Sequence, residues 1–221
     1  MIGVLMFKNF KLDSNHDYDA PIPSSAVPSK PAPYKTAFLN ASDIPAFLAL
    51  QNKVWKALPD DKKHHLKKRT AEDLQHHLDE RMPLIGVKDS KGKLVAQCLL
   101  AFPKNEDAVK NLQGYPIIRD TLSVTAVVQS LCTDPEHAGK GLSGEILDVA
   151  KYVAANTGHV QIVAKVADDN KGSQKSFTKN DFEIASNGYD PAKKYPVSYF
   201  RHSIFGCGAS QSVVARTLEM A

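Results

Sequence analysis

At 221 residues, 43% apolar and 24% charged, the chain can bury one sizeable core with a short appended segment and is too apolar for wholesale disorder. Its 28 lysines and arginines exceed its 24 aspartates and glutamates by only four, a dispersed excess that gives nucleic acid no claim as a partner. The uncharged apolar runs 94–103 and 121–133 fall well short of the ~20 residues of a membrane-spanning helix, so no membrane association is expected.

Cys98, Cys132 and Cys207 match neither a disulfide framework nor a zinc site, which fits a reducing compartment. The apolar start 1–7 lacks the basic opening of a secretory signal and gives way to Lys8, Lys11 and Asp13, so a cytoplasmic location is expected. Residues 14–35 carry Pro21, Pro23, Pro28, Pro31 and Pro33 among small and polar residues, the composition of an extended arm. The expected division is therefore an N-terminal segment and proline-rich arm over 1–33 and a single domain over 34–221.

That domain opens with a short strand over 34–39 and a helix started by Ser42, with Pro45 in its first turn. Ile44, Phe47, Leu48, Val54, Trp55 and Leu58 give the helix an apolar stripe, and a second helix begins at Thr70 with Asp73 completing a capping box. Residues 83–87 and 93–102 alternate as strands around the polar turn 88–92 and predict a hairpin. After a polar loop over 104–123 come a strand at 124–132, a glycine-rich loop, a helix over 143–156 stopped at Gly158, and a strand at 159–167. This is a βαβ unit. A short helix at 171–179 and strands at 182–185 and 197–205 follow, the last fifteen residues form a helix or tail, and no internal repeat is present. The fold class is α+β: a mixed, partly parallel central sheet of six to seven strands flanked by helices.

The loop 131–145, Leu-Cys-Thr-Asp-Pro-Glu-His-Ala-Gly-Lys-Gly-Leu-Ser-Gly-Glu, places small residues at a strand-to-helix junction. Backbone amides left uncovered there, helped by the helix dipole and by Lys140, suit a phosphate or diphosphate. Gly139, Gly141 and Gly144 spell G-x-G-x-x-G, with Asp168 twenty-four residues after Gly144 at the end of the next strand, so an NAD(P)-dependent oxidoreductase is an alternative. Against it, residues 134–137 separate the strand from the first glycine, Pro135 cannot continue a central ladder, and only 53 residues follow Asp168.

Leu131-x-Thr133-x-Pro135-Glu136-His137-Ala138-Gly139-Lys140-Gly141-Leu142-Ser143 resembles the central signature of the GNAT superfamily of acyl-CoA-dependent N-acyltransferases, a strand followed by [QR]-x-x-G-x-[GA] opening a helix. Ala138 stands in place of the usual arginine or glutamine, and Ser143 in place of glycine or alanine. Residues 170–182, Asn-Lys-Gly-Ser-Gln-Lys-Ser-Phe-Thr-Lys-Asn-Asp-Phe, resemble the family's N-x-x-[SA]-x-x-[LF]-[YF]-x-K-x-G-F helix, with Asp181 in the glycine position. Aspartate enters the left-handed region more readily than most residues, so the substitution is tolerable.

The resemblance implies that acetyl-CoA, as cosubstrate, is bound by Leu131, Cys132, Thr133, Ala138, Gly139, Lys140, Gly141, Leu142, Ser143, Gly144, Asn170, Ser173 and Phe177. It further implies transfer of the acetyl group to a primary amine, on a small molecule or a peptide, by direct attack in a ternary complex. A non-catalytic CoA-binding regulatory protein is the second alternative, and a homodimer stays open. Many relatives protonate the departing thiolate with a tyrosine, but the matching residue is Phe177, with Ser173 and Ser176 as nearby hydroxyls. No catalytic acid or base is named, because Gln129 cannot take a proton and Glu136 and His137 lie on the diphosphate side. No metal is expected. The basic run 62–69 with His76 and His77 lacks a paired ligand set and interleaved aromatics, and is read as a solvated face. Trp55 is read as core or rim, and Cys132 as packed rather than nucleophilic.

Overall fold

The computed structural model describes residues 33–103, 112, 119–190 and 194–204. All but the last residue of the expected arm over 1–33, most of the polar loop at 104–123, the C-terminal helix or tail and Cys207 lie outside them. Seven strands form one sheet in the order β1-β2-β3-β4-β5-β7-β6. They are β1 (Tyr34–Leu39), β2 (Leu84–Asp89), β3 (Leu94–Ala101), β4 (Thr125–Thr133), β5 (Gln161–Ala167), β6 (Glu183–Asp190) and β7 (Tyr195–Ser203). The helices are α1 (Ile44–Ala57), α2 (Ala71–Asp79), α3 (Leu142–Asn156) and α4 (Lys171–Lys179). Among the described residues no helix is long and apolar enough to cross a membrane.

Alternation along the strands sends adjacent residues to opposite faces of the sheet, and the core divides accordingly. Leu84, Leu94 and Leu99 join Phe47 and Leu50 of α1 and Leu74 of α2 on one face. Ile85, Val95, Cys98 and Leu100 join Ile146, Leu147, Ala150 and Val153 of α3 and Phe177 of α4 on the other. Both helix pairs are thus anchored by apolar stripes that the sequence displays at helical spacing.

Local signals act where expected. Thr70 Oγ1 accepts from the Asp73 amide at 3.1 Å while Asp73 accepts from the Thr70 amide at 3.0 Å, closing the capping box at the start of α2. Ser42 does not start the first helix: a second such box between Asn40 and Asp43 caps a 3-10 turn, Ala41–Asp43, that leads into α1. At the end of α3 the His159 amide reaches the Ala154 carbonyl at 2.9 Å across Gly158, a Schellman closure.

Several strand boundaries differ from the sequence expectation: the strands expected at 159–167 and 197–205 run over Gln161–Ala167 and Tyr195–Ser203, and two further shifts have a visible cause. The hairpin turn starts later than residue 88, because Lys88 and Asp89 pair with Lys35 and Tyr34 of β1. The Asp89 carboxylate then organises the turn by accepting from the Lys91 and Lys93 amides, each at 2.9 Å. The strand expected at 182–185 extends to Asp190, since polar Ser186, Asn187 and Gly188 pair with β7 along the sheet's outer edge.

All neighbouring strands are antiparallel except β4 and β5. A doubly wound dinucleotide fold needs a mostly parallel sheet, so this topology removes the oxidoreductase alternative. Asp168, its expected ribose ligand, instead accepts from Ser198 Oγ at 2.6 Å.

Candidate functional site

The parallel ladder between β4 and β5 covers only Thr125 with Gln161, Ala126 with Ile162 and Val127 with Val163. From Val128 and Ala164 onward the two strands are no longer partners, although β4 continues to Thr133 and β5 to Ala167. A sheet opened along its length leaves backbone groups facing a gap rather than a neighbour.

A kink in β4 marks the opening. Between its pairings with β3, three steps of β4, from Gln129 to Cys132, span two steps of β3, from Leu99 to Gln97. Ser130 sits in this bulge at φ 53, a left-handed backbone that costs a non-glycine residue of order 1–2 kcal/mol, and its buried Oγ has no partner among the described residues.

The gap is a cavity of about 940 Å³ running from the α1–α2 connection to the N-terminus of α3. Every residue that the sequence resemblance assigns to the cofactor lines it: Leu131, Cys132 and Thr133 on β4, Ala138 to Gly144 in the loop and first turn of α3, and Asn170, Ser173 and Phe177 on or beside α4.

Their side chains differ in what they offer. Gly139 and Gly141 hold φ angles of 75° and 82°, which turn the loop into the helix. The amides of Gly139, Lys140, Gly141, Leu142 and Ser143 find no acceptor among the described residues. Uncovered donors at a helix start are the arrangement that holds a diphosphate. Gly144 gives room of another kind, since a Cβ there would stand 3.0 Å from Asn180 Oδ1 at the end of α4. The Asn170 side chain caps α4 by accepting from the Ser173 amide at 3.1 Å. Thr133 Oγ1 and Ser143 Oγ meet at 3.2 Å across the mouth of α3. Lys140 Nζ lies 5.7 Å from the centre of the Tyr34 ring, and the Tyr34 hydroxyl is 3.0 Å from His137 Nδ1, so β1 holds the loop from outside. Buried Asp134 accepts from Lys53 of α1 at 2.8 Å and Lys93 at 3.3 Å, fixing the start of the loop from the other side.

Phe177 is 2% exposed and stacks with Phe200 and edge-on with Phe182, so it contributes packing rather than a proton. Burial pushes the Cys132 thiol up to about 12, which leaves it protonated and unreactive at neutral pH. Asp181 adopts φ 62 after α4, the left-handed backbone expected of the residue standing in for glycine.

At the other end of the cavity the resemblance implied only that the region between the first two helices borders the acceptor, which could be negatively charged or polar; it named no residue there. The run 62–69, read as a solvated face, sends Lys63 and Lys68 to cover the Trp55 ring at 4.2 and 5.0 Å but turns His64, His65 and Arg69 to the cavity. His65 and His64 both reach Asp169 Oδ1, at 2.7 and 3.2 Å, and Lys62 reaches Oδ2 at 2.7 Å. Against the effect of burial, bonds from Lys62, His65 and His64 hold the Asp169 carboxyl well below the usual carboxylate range. Asp169 thereby ties the α1–α2 connection to the residue just before α4. Arg69 donates through Nη2 to Gln129 Oε1 on β4, beside the bulge. Only the density of positive charge in 62–69 was visible in the sequence; which residues turn inward depends on contacts with β4 and Asp169, over 50 positions away.

Comparisons agree with this geometry. None of the curated protein sequences matches the chain. Among solved structures it resembles an N-acetyltransferase from Staphylococcus aureus Mu50, with a TM-score of 0.60 at 16% identity over 79% of this chain and 100% of that one. It also resembles yncA from Salmonella typhimurium, solved with its cofactor acetyl-CoA, with a TM-score of 0.60 at 14% identity over 80% of this chain and 98% of that one. A third is the ribosomal-protein-S18-alanine N-acetyltransferase from Escherichia coli, with a TM-score of 0.56 at 14% identity over 80% and 97%. These likenesses establish the fold. The model of the acetyltransferase (GNAT) family matches residues 47–182, more than half of the sequence, from the first turn of α1 to just past the end of α4, and the chain belongs to that family, whose acyl donor is acetyl-CoA.

Proposed function

We propose that the protein transfers the acetyl group of acetyl-CoA to a primary amine by direct attack within a ternary complex. The observation that carries this reading is the early end of the β4–β5 ladder, which opens a groove from the uncovered amides of Gly139 to Ser143 down to the bulge at Ser130. In this reading the diphosphate sits on those amides, with Ala138, Lys140 and Gly144 around it. The pantetheine arm runs along the free edge of Leu131, Cys132 and Thr133, with Asn170, Ser173 and Phe177 opposite. Main-chain donors do this work whatever their side chains, so Ala138 in place of the usual arginine or glutamine costs one contact and not the binding mode.

An alkylammonium, with a pKa near ~10.4, has no lone pair, so the acceptor must reach the thioester as the free amine. Holding it there supplies most of the acceleration, and a β4 amide on the carbonyl oxygen stabilises the negative charge that develops on attack. The thiolate of CoA is a tolerable leaving group, consistent with the absence of a proton donor at Phe177.

A thermal shift with acetyl-CoA, NADH and ATP tests the donor: stabilisation by acetyl-CoA alone is expected, about 2.7 kcal/mol when ligand stands at 100 times its dissociation constant. Thiol release across an amine panel tests transfer. Binding without release for any amine would replace the enzyme by a CoA-binding regulatory protein.

A further inference from the structure

We propose that the acceptor is a small amine that also carries a carboxylate, and that Arg69 binds that carboxylate; this deepens the acyl-transfer reading above and rests on it. Arg69 lines the cavity from the residue before the cap of α2, facing β4. A guanidinium offers five donors in a planar fork that matches a carboxylate. Among the described residues its acceptor is the uncharged Gln129 Oε1, and its buried Nε has none.

The carboxylate whose charge reaches it is engaged elsewhere: Asp73 exchanges the capping-box bonds with Thr70 at the start of α2. A cation withdrawn from water without a bonded anion is costly, and burial lowers the pKa of Arg69 against the opposing charge of Asp73. The fold nevertheless fixes it in place. Gln51 of α1, 1% exposed, accepts from the Arg69 amide at 2.8 Å and donates to the Arg69 carbonyl at 3.0 Å. A buried amide side chain used to hold one residue's backbone on both sides is the support a binding residue needs.

The donor's phosphates are not the missing anion. Gln129 and Thr133 lie four residues apart on β4, at most ~13 Å at strand spacing and less across the bulge, and the loop with the uncovered amides lies beyond Thr133. Arg69 therefore stands at the thioester end, next to the bulge. An amine that reaches the thioester there while its carboxylate rests on Arg69 has the two groups only a few bonds apart, as in a free amino acid.

The test is calorimetric titration of the CoA-saturated protein with glycine, L-leucine, L-phenylalanine and L-glutamate against their α-amides, with thiol release from acetyl-CoA measured in parallel. At least one acid should bind roughly tenfold or more tighter than its amide. Arg69→Gln should erase that preference, Arg69→Lys should keep part of it, and neither should change acetyl-CoA affinity. Equal binding of acid and amide, retention of the preference in Arg69→Gln, or no binding of any acid at millimolar concentration would overturn the proposal. Failure of thiol release with the acid preference intact would instead sink the acyl-transfer reading alone.

Discussion

Gly139→Ala probes the loop with a single methyl group. Gly139 holds φ +75°, and nothing stands within 4 Å of the position a Cβ would take, so the only cost is the left-handed backbone itself, ~1–2 kcal/mol. That cost must appear in one of two places. If the loop keeps its shape, the free protein is destabilised by that amount; if the loop rotates to escape, its amides no longer converge and acetyl-CoA affinity falls, by up to roughly 5- to 30-fold for the same free energy. Urea unfolding of the free protein and calorimetry with acetyl-CoA measure the two losses, and together they should reach ~1–2 kcal/mol. Gly92→Ala is the control: φ is +78°, its surroundings are equally open, and it lies in the β2–β3 turn outside the cavity lining. It should lose stability and no affinity. The reasoning is refuted if Gly139→Ala changes neither quantity, or if Gly92→Ala weakens acetyl-CoA binding as much as Gly139→Ala does.

Phe177→Ala should cost ~3–5 kcal/mol of unfolding free energy, because the ring is 2% exposed between Phe182 and Phe200; a loss under 1 kcal/mol in urea unfolding would show that the ring is not core. His77 predicts a pH dependence. Burial is the largest cause lowering its pKa from 6.5 to about 4, so between those values the unfolded chain binds a proton that the folded chain does not. Its share of stability is therefore intact above pH 6.5 and falls as pH drops toward 4, by about 3 kcal/mol in all. Unfolding at pH 7 and pH 4.5 should show this loss in the native protein and a smaller one in His77→Gln; identical slopes would refute the assignment.

Much of the domain was legible because its signals are local. The limits of α4, the capping box at Thr70 and Asp73, the stop at Gly158 and the left-handed Asp181 each depend on residues within a few positions of one another. The boundaries that moved are those set by partners far along the chain: Lys88 and Asp89 become strand because β1 lies beside them, and Ser186 to Gly188 because β7 does. The site divides in the same way. Its proposed donor end is a contiguous loop at a strand-to-helix junction, whose glycine spacing pointed to a phosphate and whose longer GNAT-like signature pointed to acetyl-CoA. The proposed acceptor end draws on Gln51, Arg69, Gln129 and Asp169, four residues with no common pattern in sequence, and the bulge at Ser130 that opens β4 leaves no glycine or proline to announce it.

The central claim is that the uncovered amides between Gly139 and Ser143 hold the diphosphate of acetyl-CoA. A crystal structure of the protein with acetyl-CoA tests it most directly. The account predicts diphosphate oxygens within ~2.7–3.2 Å of several of those amides and the thioester beside the bulge at Ser130. A donor bound elsewhere, with this turn vacant, would contradict it.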